Sequence, residues 1–375
     1  MKLTIEHSAL SAAVSWAAQS LPIRPVAPVL GGLKLTAVDG SLEITAFDYE
    51  ISANGMSPAQ IGEPGRVLVS GRLLAEIVRA LPNQPVTLSA DDGKLLLTCG
   101  PYRYTLQLMP LDDFPAPPST PAPTGQVAVR QLAEAVAQVV IAVGRDETLP
   151  FLTAIRLEAR PDRLRLVATD RYRLAAREIP WYSADAALDT SVLIPARTLS
   201  SLVKAMPQNG EVTLSLPREG VRSESLLSLA GENRTATIRL LDGEFIRYER
   251  IFPEEYSGYA VVETAPLIEA VKGIALVAER NTPIRLAFGS GTVDIEAGSG
   301  EEARASATLD ATVIGELTTI AANPGYLLDG LGALGTPFAR IAYTAAANPA
   351  VLTGQSAAYA APDEAYRYLF IPMRG

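Results

Sequence analysis

The spacing of apolar positions along the chain predicts three amphipathic helices, over residues 8–20, 130–143 and 266–278. In each segment apolar side chains recur at i, i+4 and i+7, starting from Leu10, Leu132 and Leu267. This spacing is typical of a helix with one buried face. The three leucines lie 122 and 135 residues apart. The pattern therefore indicates one structural unit that occurs three times.

Period-2 alternation predicts a strand after each of these helices, over residues 42–48, 164–170 and 293–297. A second helix is predicted in each unit, over residues 71–81, 196–206 and 325–334. Prolines follow the first two of these helices, where a helix should end. Each unit thus has the order helix, strands, helix, strands. This order predicts an α+β fold in which two helices pack on antiparallel sheets.

Proline-rich segments predict where one unit ends and the next begins. The clearest is the segment 113–123, and a second lies near Ile251-Phe252-Pro253. They predict domains over residues 1–120, 124–253 and 254–375. At this point three unrelated α+β domains remain an alternative to a triplicated one.

Composition excludes several classes of function. The 375 residues carry a formal net charge of −9, so nucleic acid is not bound by bulk positive charge. The chain has one cysteine and one histidine, which excludes an intrachain disulfide and a C-x-x-C zinc site. We expect no metal and no cofactor. No export signal or membrane-spanning apolar run is present, which predicts a cytoplasmic protein.

Basic residues occur at matching places in the units. Arg72 and Arg79 are seven residues apart in one second helix, and Arg197 and Lys204 have the same spacing in the next. A seven-residue spacing puts both side chains on one helix face. An acidic protein with such a face has a surface for a regular polyanion, for which we predict duplex DNA. Further arginines follow the first helices. The candidate DNA-binding residues are Arg24, Arg72, Arg79, Arg145, Arg197, Lys204 and Arg280.

The predicted DNA contact is non-specific. No base-reading motif is present, and aromatic residues make up only 6% of the chain. A weak electrostatic surface retains duplex DNA for long only if something prevents its escape. A closed ring does so by topology.

Motifs in all three units resemble the bacterial DNA polymerase III beta subunit, the sliding clamp, with an actinobacterial character. They include the segments 168–175, 241–253 and 368–375. The resemblance implies a head-to-tail homodimer that closes a six-domain ring around duplex DNA. It also implies binding of the DNA polymerase III alpha subunit, other polymerases and a clamp loader. The family has no catalytic activity of its own, and this chain lacks a Gly-x-x-x-x-Gly-Lys-Ser/Thr motif.

The resemblance further implies an apolar pocket for a partner peptide, between the second and third domains. Its wall would comprise Leu152, Thr169, Arg171, Tyr172, Arg173, Leu174, Ile246, Arg250, Ile251, Leu369, Phe370, Ile371, Pro372, Met373 and Arg374. Ring closure would pair the edge strand that contains Tyr104 and Leu106 with the third domain near Leu276 and Val277.

The chain departs from the family pattern at three places around this pocket. Ile246 replaces a proline, Arg171-Tyr172 stands where other members carry Gly-His, and Gly375 replaces a terminal leucine. An alternative function is therefore a duplicated clamp whose altered pocket confers resistance to a clamp-binding antibiotic.

Two other classes of function are an enzyme and a monomeric scaffold. Asp48 and Asp170 are matched carboxylates and could serve an enzyme, but their positions after strands favour turn formation. His7 is predicted near a helix N-terminus, and Cys99 at the end of a strand is predicted to be inert. A monomeric scaffold would bind the same peptides without encircling DNA.

Overall fold

One order of secondary structure elements occurs three times in the chain. The computed structural model describes residues 1–146, 148–217, 225–278, 282–298 and 303–373. In each repeat a strand leads into an α-helix, five strands follow, and a second helix and three strands complete the unit. The three predicted repeats are confirmed.

The six helices of the described residues fall close to the predicted segments. The first helices are α1 (His7–Ala18), α3 (Val129–Val140) and α5 (Thr264–Ala275). The second helices are α2 (Gly71–Ala80), α4 (Ala196–Ala205) and α6 (Pro324–Leu334). Leu10, Leu132 and Leu267 are at most 1% exposed, as the spacing predicted. Burial of each such side chain contributes about 2 kcal/mol to folding.

The strands of each repeat are antiparallel to their neighbours. In the first repeat they are β1 (Lys2–Ile5), β2 (Gly32–Val38), β3 (Ser41–Phe47), β4 (Ile51–Pro58), β5 (Gln60–Glu63), β6 (Gly65–Ser70), β7 (Val86–Asp91), β8 (Lys94–Cys99) and β9 (Tyr102–Met109). In the second they are β10 (Gly125–Ala128), β11 (Ala154–Ala159), β12 (Arg163–Thr169), β13 (Arg173–Pro180), β14 (Tyr182–Ser183), β15 (Thr190–Pro195), β16 (Glu211–Ser215), β17 (Leu226–Gly231) and β18 (Arg234–Arg239). In the third they are β19 (Gly258–Glu263), β20 (Ile284–Phe288), β21 (Thr292–Ala297), β22 (Ala305–Asp310), β23 (Thr312–Gly315), β24 (Thr319–Ala322), β25 (Phe338–Tyr343), β26 (Ala350–Gln355) and β27 (Asp363–Phe370).

The chain divides into two compact units, and the division passes through the second repeat. The first unit comprises Met1–Leu132, Trp181–Thr190 and Thr198–Leu240, and it contains a 14-stranded sheet. The second comprises Ala133–Pro180, Ser191–Arg197 and Leu241–Gly375, and it contains a nine-stranded and a four-stranded sheet. The two largest sheets therefore each combine strands of two successive repeats.

Strand pairing across a repeat boundary builds both of these sheets. In the first unit β18 pairs with β4, and Ile238 lies opposite Ile51. In the second unit β27 pairs with β13, and Phe370 lies opposite Arg173. The last strand of one repeat thus always joins the third sheet strand after the first helix of the preceding repeat.

Asp48 and Asp170 form equivalent turns at the start of β4 and β13. The Asp48 carboxylate accepts hydrogen bonds from the backbone N–H groups of Glu50 and Ile51, at 3.1 and 2.9 Å. The Asp170 carboxylate accepts from the residues two and three positions later, both at 3.0 Å. The prediction that these aspartates form turns is confirmed.

We predict that Asp48→Ala lowers the free energy of unfolding by about 1 kcal/mol, because two N–H groups lose a charged acceptor. Tyr49 follows in the left-handed region, at φ 74°. Its replacement by glycine should leave stability unchanged or raise it by up to about 1 kcal/mol. Urea unfolding of both variants measures the difference. Equal stability of Asp48→Ala and the parent protein would contradict this account of the turn.

Candidate functional site

The predicted basic residues on the second helices are exposed and share one face of each helix. Arg72 and Arg79 are exposed on α2, while Leu74 and Val78 of the same helix are buried. Arg197 and Lys204 are exposed at the equivalent positions of α4. Both helices therefore present two cations away from the core.

The two faces differ in net charge, because the sequence of α4 contains no acidic residue. Glu76 is exposed between Arg72 and Arg79, whereas Ser201 is exposed at the equivalent position of α4. Because Glu76 offsets one cation, α4 has the more positive face. The Arg72 guanidinium also donates to the Pro22 carbonyl at 2.7 Å, which fixes it beside the loop that carries Arg24.

The remaining predicted DNA-binding residues follow first helices. Arg24 lies exposed after α1, and Arg145 lies exposed after α3. Arg280 lies outside the described residues.

The junction between β13 and β27 brings two predicted segments of the peptide pocket together. Leu174 lies opposite Leu369 in the sheet. Beyond the strand ends, the Ile371 N–H donates to the Tyr172 carbonyl at 2.8 Å. These pairs unite residues that are about 200 positions apart in the sequence. The C-terminal segment continues past this point, where the Met373 N–H donates to the Ala321 carbonyl at 2.8 Å.

The predicted wall residues divide into a buried layer and an exposed layer. The buried residues are Leu152, Thr169, Leu174, Leu369, Phe370 and Pro372. The exposed residues are Arg171, Tyr172, Arg250, Ile251 and Ile371, while Arg173, Ile246 and Met373 are half-buried. Arg374 lies outside the described residues. The buried layer supports the junction, so the side chains available to a partner are those of the exposed and half-buried residues.

A tyrosine anchors the segment that carries Ile246, Arg250 and Ile251. Tyr248 is buried in an apolar cluster that includes Leu174 and Leu369, and Ile246 packs against the same cluster. The Tyr248 hydroxyl donates to Glu158 of β11 at 3.0 Å. Burial raises the pKa of Tyr248 to about 12.

Arg173 is held on two sides by carboxylates. Its guanidinium contacts Asp170 at 3.0 Å and Asp329 of α6 at 2.5 Å, and it lies 4.5 Å from the centre of the Tyr326 ring. Burial by itself lowers the pKa of Arg173, but the hydrogen bond to Asp329 and the other partners outweigh it, so the net pKa is raised. The sequence analysis missed Tyr326 and Asp329, because only the tertiary fold brings α6 beside β13.

Arg171 occupies a backbone position that favours glycine, at φ 78°. A left-handed backbone residue therefore lies at the place where the resemblance expects Gly-His. The exposed Arg171 and Tyr172 side chains put a cation and an aromatic ring on the surface at this turn.

The residues predicted at the dimer interface differ in how far their side chains are exposed to a partner. Tyr104 is half-buried, and Leu276 is 87% exposed with Val277 half-buried beside it. Leu106 is only 3% exposed and belongs to the core of its own repeat. Its side chain therefore packs inside one chain, and its backbone is the part that lies at the strand edge.

The described residues contain neither a group of metal-ligating side chains nor a helix long and apolar enough to span a membrane. His7 begins α1 and contacts the Val78 carbonyl at 2.9 Å. Cys99 is a buried, free thiol.

Three family matches follow the repeats. The chain matches the N-terminal, central and C-terminal domains of the DNA polymerase III beta subunit over residues 1–118, 126–246 and 249–374. The chain belongs to the DNA polymerase III beta subunit family. It is 47% identical to the beta sliding clamp of Streptomyces coelicolor over 374 residues, which covers 100% of this chain and 99% of that protein. It is 37% identical to the beta sliding clamp homolog GriR of Streptomyces muensis, at the same coverage.

Solved structures agree with this assignment. A Pseudomonas aeruginosa sliding clamp bound to griselimycin superposes with a TM-score of 0.91 at 27% identity, over 100% of this chain and 99% of that one. The Bacillus subtilis sliding clamp also gives 0.91, at 25% identity and the same coverage. The protein is a DNA replication protein of the sliding-clamp class, with three clamp domains.

We predict that Arg173→Lys lowers the free energy of unfolding by about 2 kcal/mol, because a lysine cannot contact both carboxylates in a fixed geometry. Arg171→Lys is the matched control, an exposed neighbour whose replacement should change stability by less than about 0.5 kcal/mol. Urea unfolding compares the two variants. An equal effect of both substitutions would show that the two carboxylates do not stabilise the junction.

Proposed function

We propose that two copies of this chain close head to tail into a ring that encircles duplex DNA and tethers polymerases to it. The observation that carries the proposal is a pair of complementary strand edges. Within the described sheets, β22 is an edge strand that pairs only with β21. On its second side, β9 pairs with β6 only through Leu108 and Met109. These are the strands equivalent to the ones that pair at the two junctions within the chain.

Exposure supports the pairing of β9 with β22 of a second copy. Thr105 of β9 is exposed, whereas its equivalents Thr237 of β18 and Leu369 of β27 are buried. Along β22, exposed and half-buried residues alternate. Unpaired edges of this kind bind further strands, and a closed dimer removes both of them.

The pairing of β18 with β4 predicts the register in which β9 pairs with β22 of a second copy. The first step identifies the residue of β9 that is equivalent to Thr235. Thr235 of β18 lies opposite Asn54 of β4. Thr235 follows Arg234, the residue that closes the last hairpin of its repeat against Gly231. Arg103 of β9 follows Tyr102, which closes the equivalent hairpin. Arg103 is therefore equivalent to Thr235.

The register on the other strand follows from β3 and β21. Pro58 ends β4 opposite the first residue of β3, and Asp310 ends β22 opposite the first residue of β21. Four residues before these ends lie Asn54 and Ser306. In the dimer Arg103 therefore faces Ser306 of the second copy.

We predict that the double variant Arg103→Cys, Ser306→Cys forms a covalent closed dimer on mild oxidation, because opposed antiparallel residues lie within disulfide distance. Electrophoresis without reductant should show one dimer band. The control pair Arg103→Cys, Thr308→Cys is shifted by two residues and should cross-link poorly. A monomer band, a ladder of polymers or equal cross-linking of the control would contradict the proposal.

The cross-linked ring also tests encirclement. After loading on a nicked circle by a clamp loader with ATP and subsequent oxidation, the ring should resist high salt and leave when the circle is linearised. High salt removes electrostatic binding but not topological retention. Equal loss from circular and linear DNA would indicate ordinary affinity. The proposed DNA-facing residues are Arg24, Arg72, Arg79, Arg145, Arg197, Lys204 and Arg280.

The predicted pocket is the proposed site for peptides of polymerases, including the DNA polymerase III alpha subunit, and of the clamp loader. Exposed apolar side chains support it, since Ile371 and Ile251 are 41% and 36% exposed on the surface beside the β13–β27 junction. Partially exposed aliphatic side chains above a buried apolar cluster suit leucine or phenylalanine anchors of a short peptide. Half-buried Met373 can adapt its shape to such an anchor.

We predict that Ile371→Ser weakens binding of a synthetic polymerase alpha-subunit tail peptide about tenfold, because an apolar anchor contact is lost. Ile314→Ser, in exposed β23, is the matched control and should leave affinity unchanged. Fluorescence anisotropy gives both dissociation constants. An unchanged affinity for Ile371→Ser would remove the pocket from the proposal.

The proposed ring retains polymerases on DNA without catalysing a reaction. We propose that it is no enzyme and acts without cofactor in the cytoplasm, as three domains over residues 1–120, 124–253 and 254–375. Tethering raises the effective concentration of a polymerase at its primer, so the ring needs no chemistry of its own.

Two observations bear on the alternative, a resistance duplicate. The departures at Arg171 and Tyr172 are exposed beside the proposed pocket, which favours altered binding there. Against it, identity to the Streptomyces coelicolor clamp exceeds identity to GriR. Griselimycin binding distinguishes the two functions. If the double variant Arg171→Gly, Tyr172→His binds griselimycin more tightly than the parent protein does, the result would support the resistance duplicate. Equal griselimycin binding by both proteins would support the main clamp function and not the duplicate.

A further inference from the structure

A three-part contact closes the junction of the first unit on its helix side. Trp16 is the tenth residue of α1, and the guanidinium of Arg234 lies 5.7 Å from the centre of its ring. Arg234 also donates to the carbonyl of Ala205, the tenth residue of α4, at 2.6 Å. Arg234 thus contacts both the first helix of the preceding repeat and the end of the second helix of its own repeat.

Residues at the three equivalent positions are also joined in the second unit, through different hydrogen bonds. Gln138 is the tenth residue of α3, and its side-chain amide donates to the carbonyl of Ala333, the tenth residue of α6, at 2.9 Å. Tyr366 of β27 is equivalent to Arg234, and its hydroxyl donates to the Gln138 backbone carbonyl at 3.1 Å. The residue types differ between the junctions, but the three positions are kept.

The third set of these positions is incomplete in one chain. Gly273 is the tenth residue of α5, and a Cβ there would have no neighbour within 4 Å. Tyr102 of β9 is equivalent to Tyr366 but is 48% exposed, against 1% for Tyr366. Ala80, the tenth residue of α2, is exposed as well. Gly273 belongs to the third repeat, whereas Tyr102 and Ala80 belong to the first. In the proposed ring, the third repeat of one copy adjoins the first repeat of the other.

We propose that the Tyr102 hydroxyl of one copy donates to the Gly273 carbonyl of a second copy. This inference rests on the proposed ring. The contact of Tyr366 with the Gln138 carbonyl supplies the geometry, because both the strand and the helix positions correspond.

Gly273 also leaves the Ala80 carbonyl without the donor that Gln138 provides for Ala333. A glutamine at position 273 restores this donor. Loss of the Tyr102 hydroxyl should therefore weaken the dimer, whereas a glutamine at position 273 should strengthen it.

The experiment measures the dimer dissociation constant by sedimentation of fluorescently labelled protein over a dilution series. Tyr102→Phe should raise the constant about 25- to 100-fold, because the ring has two such interfaces and each loses one hydrogen bond that contributes a factor of about five to ten. Gly273→Gln should lower it by a similar factor. Tyr182→Phe alters an exposed tyrosine of β14 and should leave the constant unchanged. Circular dichroism confirms that each variant is folded.

Unchanged affinity in Tyr102→Phe, or weaker affinity in Gly273→Gln, would overturn the inference. The Arg103→Cys, Ser306→Cys pair, introduced into both variants, separates this failure from failure of the ring. Cross-linking with unchanged affinity would mean that the ring forms without the Tyr102 contact. Absence of cross-linking in the protein that carries only the Arg103→Cys, Ser306→Cys pair would mean that both proposals fail.

Discussion

Backbone hydrogen bonding between successive repeats is the constraint on which the rest of the structure depends. β18 continues the sheet of β4, and β27 continues the sheet of β13. Each repeat thus presents one edge to the repeat before it and another to the repeat after it. Among the described strands, a chain of three such repeats leaves two edges open, namely the outer side of β22 and the second side of β9 before Leu108. Because the edges are complementary and not identical, association through them is head to tail. Such association closes into a ring when the rotation per repeat permits it.

The charge pattern is consistent with this architecture. An overall charge of −9 keeps the protein from binding DNA indiscriminately, while α2 and α4 keep cations on an exposed face. Glu76 lowers the charge of α2, and Gly325 and Gly332 of α6 provide no charge at the equivalent positions. Attraction is therefore uneven among the repeats. A protein that slides along DNA benefits from weak, non-specific attraction, since topology and not affinity retains it.

The local sequence pattern predicted the helices and turns, because local interactions determine them. It did not predict contacts between residues that are distant in the sequence. The helices that begin before Leu10, Leu132 and Leu267 follow from periodicity, because the spacing of apolar residues fixes the buried face. The turns at Asp48 and Asp170 follow from residue type. The ion pair between Arg173 and Asp329 joins residues 156 positions apart, so no local pattern indicates it. The family resemblance implies a set of residues for the proposed pocket, but it does not indicate which of them support the fold.

That distinction explains where this chain departs from its family. The proposed pocket lies on the β13–β27 junction, so a change at buried Leu174, Leu369 or Phe370 would weaken the pairing of two repeats as well as the proposed binding of a peptide. Arg171 and Tyr172 are exposed and Ile246 is only half-buried, so substitutions there alter the surface and spare the junction. The two described sites of departure thus fall where the fold tolerates change. Partner preference can diverge at these positions while the sheet that joins the repeats stays constant.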